Sequence, residues 1–134
     1  MSTLQVRVRV ADEDYALPVE HVIEVAEYGV VAPVPGAGAT VIGVSNLKGD
    51  VVPVVDLGHT LGLPRAAAPE RIVVVEEAGR RAGLAVDSVE EVEQLSQPAE
   101  EAESPHLLGT VLTQGALIGL VDVGSVLDSA QGTP

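Results

Sequence analysis

The stretch Val41–Leu57, which reads VIGVSNLKGDVVPVVDL, decides the fold. Two valine-rich runs, Thr40–Leu47 and Val51–Val55, flank the turn residues Lys48–Asp50. Because β-branched side chains favour strands, two such runs around a glycine-containing turn indicate a hairpin. Asp56 then has the side chain and the position of a helix N-cap. The stretch therefore predicts a hairpin followed by a short helix from Asp56 to about Leu61.

The same pattern occurs twice in the chain. Four of its positions recur 66 residues further on: Gly43, Gly49, Asp56 and Leu61 correspond to Gly109, Gly115, Asp122 and Leu127. An earlier segment, Leu17–Val25, matches Leu84–Val92 at an offset of 67 residues. Two motifs in the same order indicate two copies of one supersecondary unit. We place the copies at roughly 14–63 and 71–128, followed by a tail at 129–134 that we expect to be frayed.

The composition favours a β-rich fold. Of 134 residues, 46% are hydrophobic, with 25 Val and 14 Leu but no Phe or Trp. Each copy has about five short strands, which is too small a unit to hold a core alone. We therefore predict an all-β fold in which two small five-stranded barrels pack together as one domain over 1–134, with few short helices.

The charge balance and the lack of cysteine exclude several functions. Seven basic residues against 20 acidic residues give a formal net charge of −13, which disfavours nucleic acid as a partner. The absence of cysteine excludes disulfides and thiolate chemistry. The chain begins with alternating polar and apolar residues, and no apolar run approaches the roughly 18 residues of a membrane span. We expect a soluble cytoplasmic protein without direct membrane insertion.

No residue pattern indicates catalysis. His21, His59 and His106 lack the spacing of metal ligands, and Ser45 lacks the second glycine of a nucleophile elbow. We therefore predict no catalytic residues, no metal and no cofactor, and hence no enzyme. A small-ligand module is also disfavoured, because a chain without Phe and Trp lacks side chains that commonly line ligand pockets.

Comparing the two copies separates structural residues from candidate functional ones. Asp56 and Asp122 occur in both copies, as do Gly43 and Gly109, so we assign the first pair to helix caps and the second to turn geometry or close backbone packing. The first copy alone carries Asn46-Leu47-Lys48 before its turn glycine. That motif is the candidate for function, although a lysine in a turn is often merely solvated.

The stretch Val41–Leu57 resembles the signature of the CheW family of chemotaxis coupling proteins, v-x-G-v-x-N-L-R-G-x-v-v-P-v-v-D-L. Further family landmarks follow the same order along nearly the whole chain, namely Val22–Val25, Arg71–Val75, Gly83–Val89 and Gly115–Leu127. The resemblance implies two five-stranded SH3-like barrels around a shared core. It also implies a non-catalytic adaptor that joins the cytoplasmic tips of methyl-accepting chemoreceptors to the regulatory domain of a CheA-type histidine kinase. Such an adaptor would lie at membrane-associated receptor arrays.

The resemblance implies a partner-binding surface, and Glu24 and Lys48 are expected to meet on it. The residues we assign to receptor or partner binding are Val22, Glu24, Asn46, Leu47, Lys48, Gly49, Val86 and Val89. Two features depart from the family pattern: Lys48 replaces the usual arginine, and the segment between Leu95 and Leu107 is acidic. The alternative is therefore a divergent relative of a motility or pilus pathway that binds only one of the two partners.

Overall fold

The computed structural model describes residues 2–64, 68–98 and 104–130. These residues contain ten strands: β1 (Ser2–Val10), β2 (Glu13–Pro18), β3 (Val22–Glu27), β4 (Val41–Leu47), β5 (Asp50–Asp56), β6 (Arg71–Glu77), β7 (Arg80–Val86), β8 (Ser88–Ser96), β9 (Leu107–Thr113) and β10 (Ala116–Val121). They also contain two α-helices, α1 (Leu57–Thr60) and α2 (Val123–Ala130), and one 3-10 turn at Val19–His21. The predicted all-β fold with few short helices is confirmed.

The strands form two five-stranded sheets. The first, called the β1 sheet, has the order β8-β1-β2-β10-β9, and the second, called the β6 sheet, has the order β3-β6-β7-β5-β4. In each sheet a parallel pair joins strands from the two halves of the chain: β2 with β10, and β7 with β5. Each sheet therefore takes strands from both predicted repeat units, and neither unit coincides with a sheet.

The chain crosses between the sheets at equivalent points of the two copies. After β2 it crosses through the turn Val19–His21, and after β7 it crosses back at Asp87. Asp87 donates its backbone N–H to the carbonyl of Arg9 (3.0 Å), and its carboxylate accepts the N–H of Ala11 (2.8 Å). These two hydrogen bonds fasten the second crossing to the β1 sheet.

Four of the hairpins in the two sheets have tight turns between their strands. Each has two central residues with positive φ: Ala11-Asp12, Lys48-Gly49, Ala78-Gly79 and Gln114-Gly115. Two positive φ values define the turn type whose twist matches that of paired antiparallel strands. The turn at Lys48-Gly49 therefore belongs to a hairpin of ordinary geometry.

The residues that we assigned to caps and close packing have specific contacts. The Asp56 carboxylate accepts the N–H of His59, and the Asp122 carboxylate accepts that of Ser125, both at 3.1 Å. Gly43 faces the backbone of a neighbouring loop, because a Cβ there would lie 2.1 Å from the carbonyl oxygen of Ala32. Like Gly43, Gly109 is buried beside a β-bulge.

Three largely aliphatic clusters form the interior of the described part of the chain. The largest, called the shared core, contains side chains from both sheets and both helices: Val6, Val8, Val10, Tyr15, Leu17, Val55, Leu57, Val73, Val75, Ala82, Leu84, Val86, Val121, Val123, Val126 and Leu127. A second cluster lies within the β1 sheet, around Ile118, and a third within the β6 sheet, around Ile72. Burial between the sheets therefore joins them into one structure.

The end of the described chain is more ordered than predicted. We expected fraying from residue 129, but Ser129 and Ala130 belong to α2. Ala130 packs against the shared core, which holds the last turn of this helix in place. Residues 131–134, and residues 99–103 of the acidic segment, lie outside the described residues.

Tyr15 places a phenol in the otherwise aliphatic shared core. Its side chain is almost fully buried, at 6% exposure, and its ring lies against Gly119, where a Cβ would come within 2.8 Å of it. Burial, assisted by the charge of Glu13, raises the pKa of Tyr15 from 10.0 to about 12. The phenolate is therefore disfavoured in the folded protein.

We predict that Tyr15 makes the fold sensitive to alkali. Because its folded pKa exceeds its unfolded pKa, its contribution to stability is complete below pH 10.0 and is lost as the pH rises towards about 12. Denaturant unfolding at about pH 9 and about pH 11 should show that the wild type loses about 1.4 kcal/mol more than Tyr15→Phe. Tyr28→Phe serves as the control and should keep the wild-type loss. An equal loss in Tyr15→Phe and the wild type would contradict this prediction.

Candidate partner-binding site

The tip of the β4–β5 hairpin is held by a side chain of the hairpin itself. Lys48 and Gly49 form the turn, with φ values of 53° and 91°. The Asn46 side-chain oxygen accepts the N–H of Gly49 at 3.0 Å. This bond spans the turn. Asn46 and Lys48, from the motif found only in the first copy, therefore form one local unit with the adjacent Gly49.

Lys48 and Glu24 meet on the surface beside this turn. Glu24 lies on the edge strand β3, opposite Val74, and its carboxylate is 3.4 Å from the Lys48 ammonium. The Lys48 side chain is 82% exposed and that of Glu24 is 27% exposed. An exposed pair of this kind contributes about 0–1 kcal/mol to stability. The contribution of this pair to folding stability therefore does not explain why both charges are present.

Lys48 is the most exposed cation among the ion pairs of the described residues. Arg7 pairs with Asp14 and Glu93, Arg80 with Glu77 and Asp128, and Arg81 with Asp50 and Glu76. The hydrogen bond that Arg7 donates to the Glu93 carboxylate raises the pKa of Arg7 above its usual range. These arginines are used within the fold, whereas the ammonium of Lys48 is open to a partner.

An aliphatic groove, called the valine groove, borders the same hairpin. Val30, Ala32, Val44 and Val51 line it, together with the polar residues Glu27 and Asn46. Val30 is 88% exposed and Val51 is 66% exposed. Exposed apolar side chains that share a concave surface are typical of a protein contact.

The loop that carries Val30 is fastened to the edge of the β6 sheet. Ala32 and Val44 exchange two backbone hydrogen bonds of 2.8 Å, and the Ser45 hydroxyl donates to the carbonyl of Val30 at 3.0 Å. The groove therefore has a defined wall on the loop side.

The remaining residues of the predicted surface are spread over the molecule. Leu47 packs against the cluster within the β6 sheet, while Val22 and Val89 pack partly exposed against the shared core from the edge strands β3 and β8. Val86 is fully buried in the shared core, at 0% exposure. Its side chain offers no surface to a partner, so we leave Val86 out of the proposed surface.

Sequence reasoning missed the valine groove. Val51 belongs to a run in which both faces of the strand carry apolar residues, so alternation cannot show which face is open. Val30 lies in a loop whose position depends on tertiary contacts. The copy comparison could have pointed to the groove. It singles out Asn46, and in the β4–β5 hairpin Val51 lies directly opposite Asn46.

Two classes of feature are absent from the described residues. Over the ranges 2–64, 68–98 and 104–130, no helix is long and apolar enough to cross a membrane. Within the same ranges, no group of three or more His, Asp or Glu side chains could hold a metal ion.

Known proteins resemble this chain over nearly its full length. A family model described as a CheW-like domain matches residues 5–131. The chemotaxis protein CheW of Rhizobium meliloti (strain 1021) is 33% identical over 133 residues, which cover 92% of this chain and 86% of that protein. Protein FrzA of Myxococcus xanthus is 31% identical over 134 residues, covering 92% and 84%. The crystal structure of the scaffolding protein TtCheW from Thermoanaerobacter tengcongensis matches with a TM-score of 0.80 at 27% identity, covering 91% and 90%.

The chain belongs to the CheW-like domain family. Its two five-stranded sheets are the two SH3-like barrels of that fold. Its function is that of a non-catalytic adaptor in chemotaxis signalling, so the sequence-based predictions of family, fold class and adaptor role are confirmed.

Proposed function

We propose that this adaptor joins the cytoplasmic tip of a methyl-accepting chemoreceptor to the regulatory domain of a CheA-type histidine kinase. It does so in the cytoplasm, at membrane-associated receptor arrays. Family membership supports this proposal. The observation that carries it is that one hairpin, β4–β5, borders two surfaces of different chemistry. One is the charged pair Glu24–Lys48, and the other is the valine groove.

We assign the valine groove to the kinase. Val30 and Val51 are its exposed large apolar side chains, and aliphatic burial favours association without needing charge. Asp50, next to Val51 in the chain, is paired with Arg81 at 3.1 Å; Glu27 also lines the groove, but most of the other lining side chains are apolar. The groove therefore suits an apolar partner surface.

We assign the charged pair to the receptor. Glu24 and Lys48 contribute little to folding, but they present a positive and a negative group at a fixed separation. Fixed charges orient a partner and exclude wrong ones, because a like-charge contact is costly. Val22 and Val89 supply partly exposed apolar surface on the edge strands of the two sheets.

The first test exchanges one apolar residue of the groove for a charged one. Val51→Glu should weaken binding to the isolated kinase regulatory domain at least about tenfold, because it places a charge in an apolar contact. The matched control is Leu117→Glu: Leu117 is exposed at the same position of the second hairpin, opposite Leu112. It should leave binding within about twofold. Calorimetry measures both affinities, and thermal melting confirms that both variants fold.

Salt dependence tests the same assignment independently. Because apolar burial is not screened, affinity for the kinase domain should change less than about threefold between about 50 mM and about 500 mM salt. A steep loss of affinity with salt, or equal weakening by Val51→Glu and Leu117→Glu, would contradict the assignment of the groove to the kinase.

The second test reverses the charged pair. We expect Glu24→Lys, Lys48→Glu and the double swap to melt within a few degrees of the wild type, because the pair stabilises the fold by only about 0–1 kcal/mol. Both single variants should lose receptor coupling. The double swap should restore the ion pair but not the coupling, because the receptor would then meet a reversed charge pattern.

Each contrary outcome has a defined meaning. If either single variant couples normally, or if the double swap restores coupling, the receptor does not recognise the charges of this pair. If coupling is lost only in variants that unfold, its role is structural. Kinase binding without any receptor binding would support the alternative of a divergent relative that serves one partner.

A further inference from the structure

The two tight hairpin turns of the repeat share a backbone conformation but differ in their side chains. Lys48 and Gly49 have φ values of 53° and 91°, and Gln114 and Gly115 have 49° and 80°. The flanking pairs also correspond, Leu47 opposite Asp50 and Thr113 opposite Ala116. Where the first hairpin has Asn46, the second has the exposed Leu112. The turn therefore forms without an asparagine in the second hairpin, so its conformation does not require Asn46.

The bond made by Asn46 fixes the peptide that follows Lys48. In a turn of this type the flanking residues bond to each other, so the N–H of Gly49 has no partner in the ladder. Asn46 accepts that N–H at 3.0 Å. Because the N–H belongs to the peptide joining Lys48 to Gly49, the bond restrains the backbone from which the Lys48 side chain departs.

Restraint matters at this position because lysine is flexible. A lysine side chain has several freely rotating bonds, and this one is 82% exposed, so packing does not hold it. Its ammonium nevertheless lies 3.4 Å from the Glu24 carboxylate on a different strand. A fixed backbone at residue 48 narrows the region that the ammonium can reach and keeps Glu24 within it.

We infer that Asn46 is a positioning residue, whose carboxamide holds the Lys48–Gly49 turn so that the Lys48 ammonium stays beside Glu24. The inference deepens the proposed function, on which its consequence for receptor binding rests. Its structural part, the effect on Gly49 and on the Lys48–Glu24 contact, can be measured without any partner.

The test compares two variants. Asn46→Leu introduces the residue that the second hairpin has at the equivalent position, and Leu112→Asn is the matched control. In Asn46→Leu, hydrogen exchange at the Gly49 amide should be roughly two- to tenfold faster, as expected when one hydrogen bond of ordinary strength is lost. Exchange at Gly115 should not change. The nuclear Overhauser contact between the Lys48 and Glu24 side chains should weaken, and receptor coupling should fall with the melting temperature unchanged.

Two further variants separate positioning from other roles. Asn46→Asp keeps the acceptor oxygen and should restore slow exchange at Gly49, whereas Leu112→Asn should leave Gly49, Lys48 and receptor coupling as in the wild type. Unchanged Gly49 exchange in Asn46→Leu would overturn the inference. So would faster exchange with an intact Lys48–Glu24 contact. If both change as expected while the wild-type chain binds no receptor, the inference holds and the proposed receptor role fails.

Discussion

Burial of aliphatic side chains between the two sheets is the interaction on which the rest of the structure depends. The shared core takes residues from both sheets and both helices. Each sheet also contains strands from both halves of the chain, joined by the parallel pairs β2–β10 and β5–β7. A half of the chain therefore contains neither a complete sheet nor a complete core, and small units of this size are stable only when they are combined.

The shared core also explains how this fold can serve a non-catalytic adaptor. Val55, near the end of β5, and Leu57, at the start of α1, lie in the shared core, while the other end of the same hairpin carries Lys48 and borders the valine groove. The edge strand β3 brings Glu24 to that tip through its pairing with β6. The charged pair and the groove are thus positioned by the packed sheet, and a partner would contact them at fixed positions.

The sequence predicts local structure well because local signals are strong. Valine-rich runs, glycine-containing turns and the aspartate caps define the hairpins and helices. The copy comparison singles out the motif that contains Lys48, and the family resemblance implies that Glu24 meets Lys48 on one surface. Strand pairing between the halves is not encoded locally, since the partners β2 and β10 are about a hundred residues apart. The burial of individual side chains cannot be predicted for a related reason. Val86 and Val51 are both valines in strands, and tertiary packing alone makes Val86 inaccessible and leaves Val51 exposed.

The central claim is that the two sheets form a single cooperative unit through the shared core. Native-state hydrogen exchange, residue by residue at increasing denaturant, tests it most directly. The most protected amides of β2 and β10 in one sheet, and of β6 and β7 in the other, should exchange through the same global opening, with free energies within about 1 kcal/mol of each other. An opening of distinctly lower free energy that exposes one sheet while the other stays protected would contradict the claim.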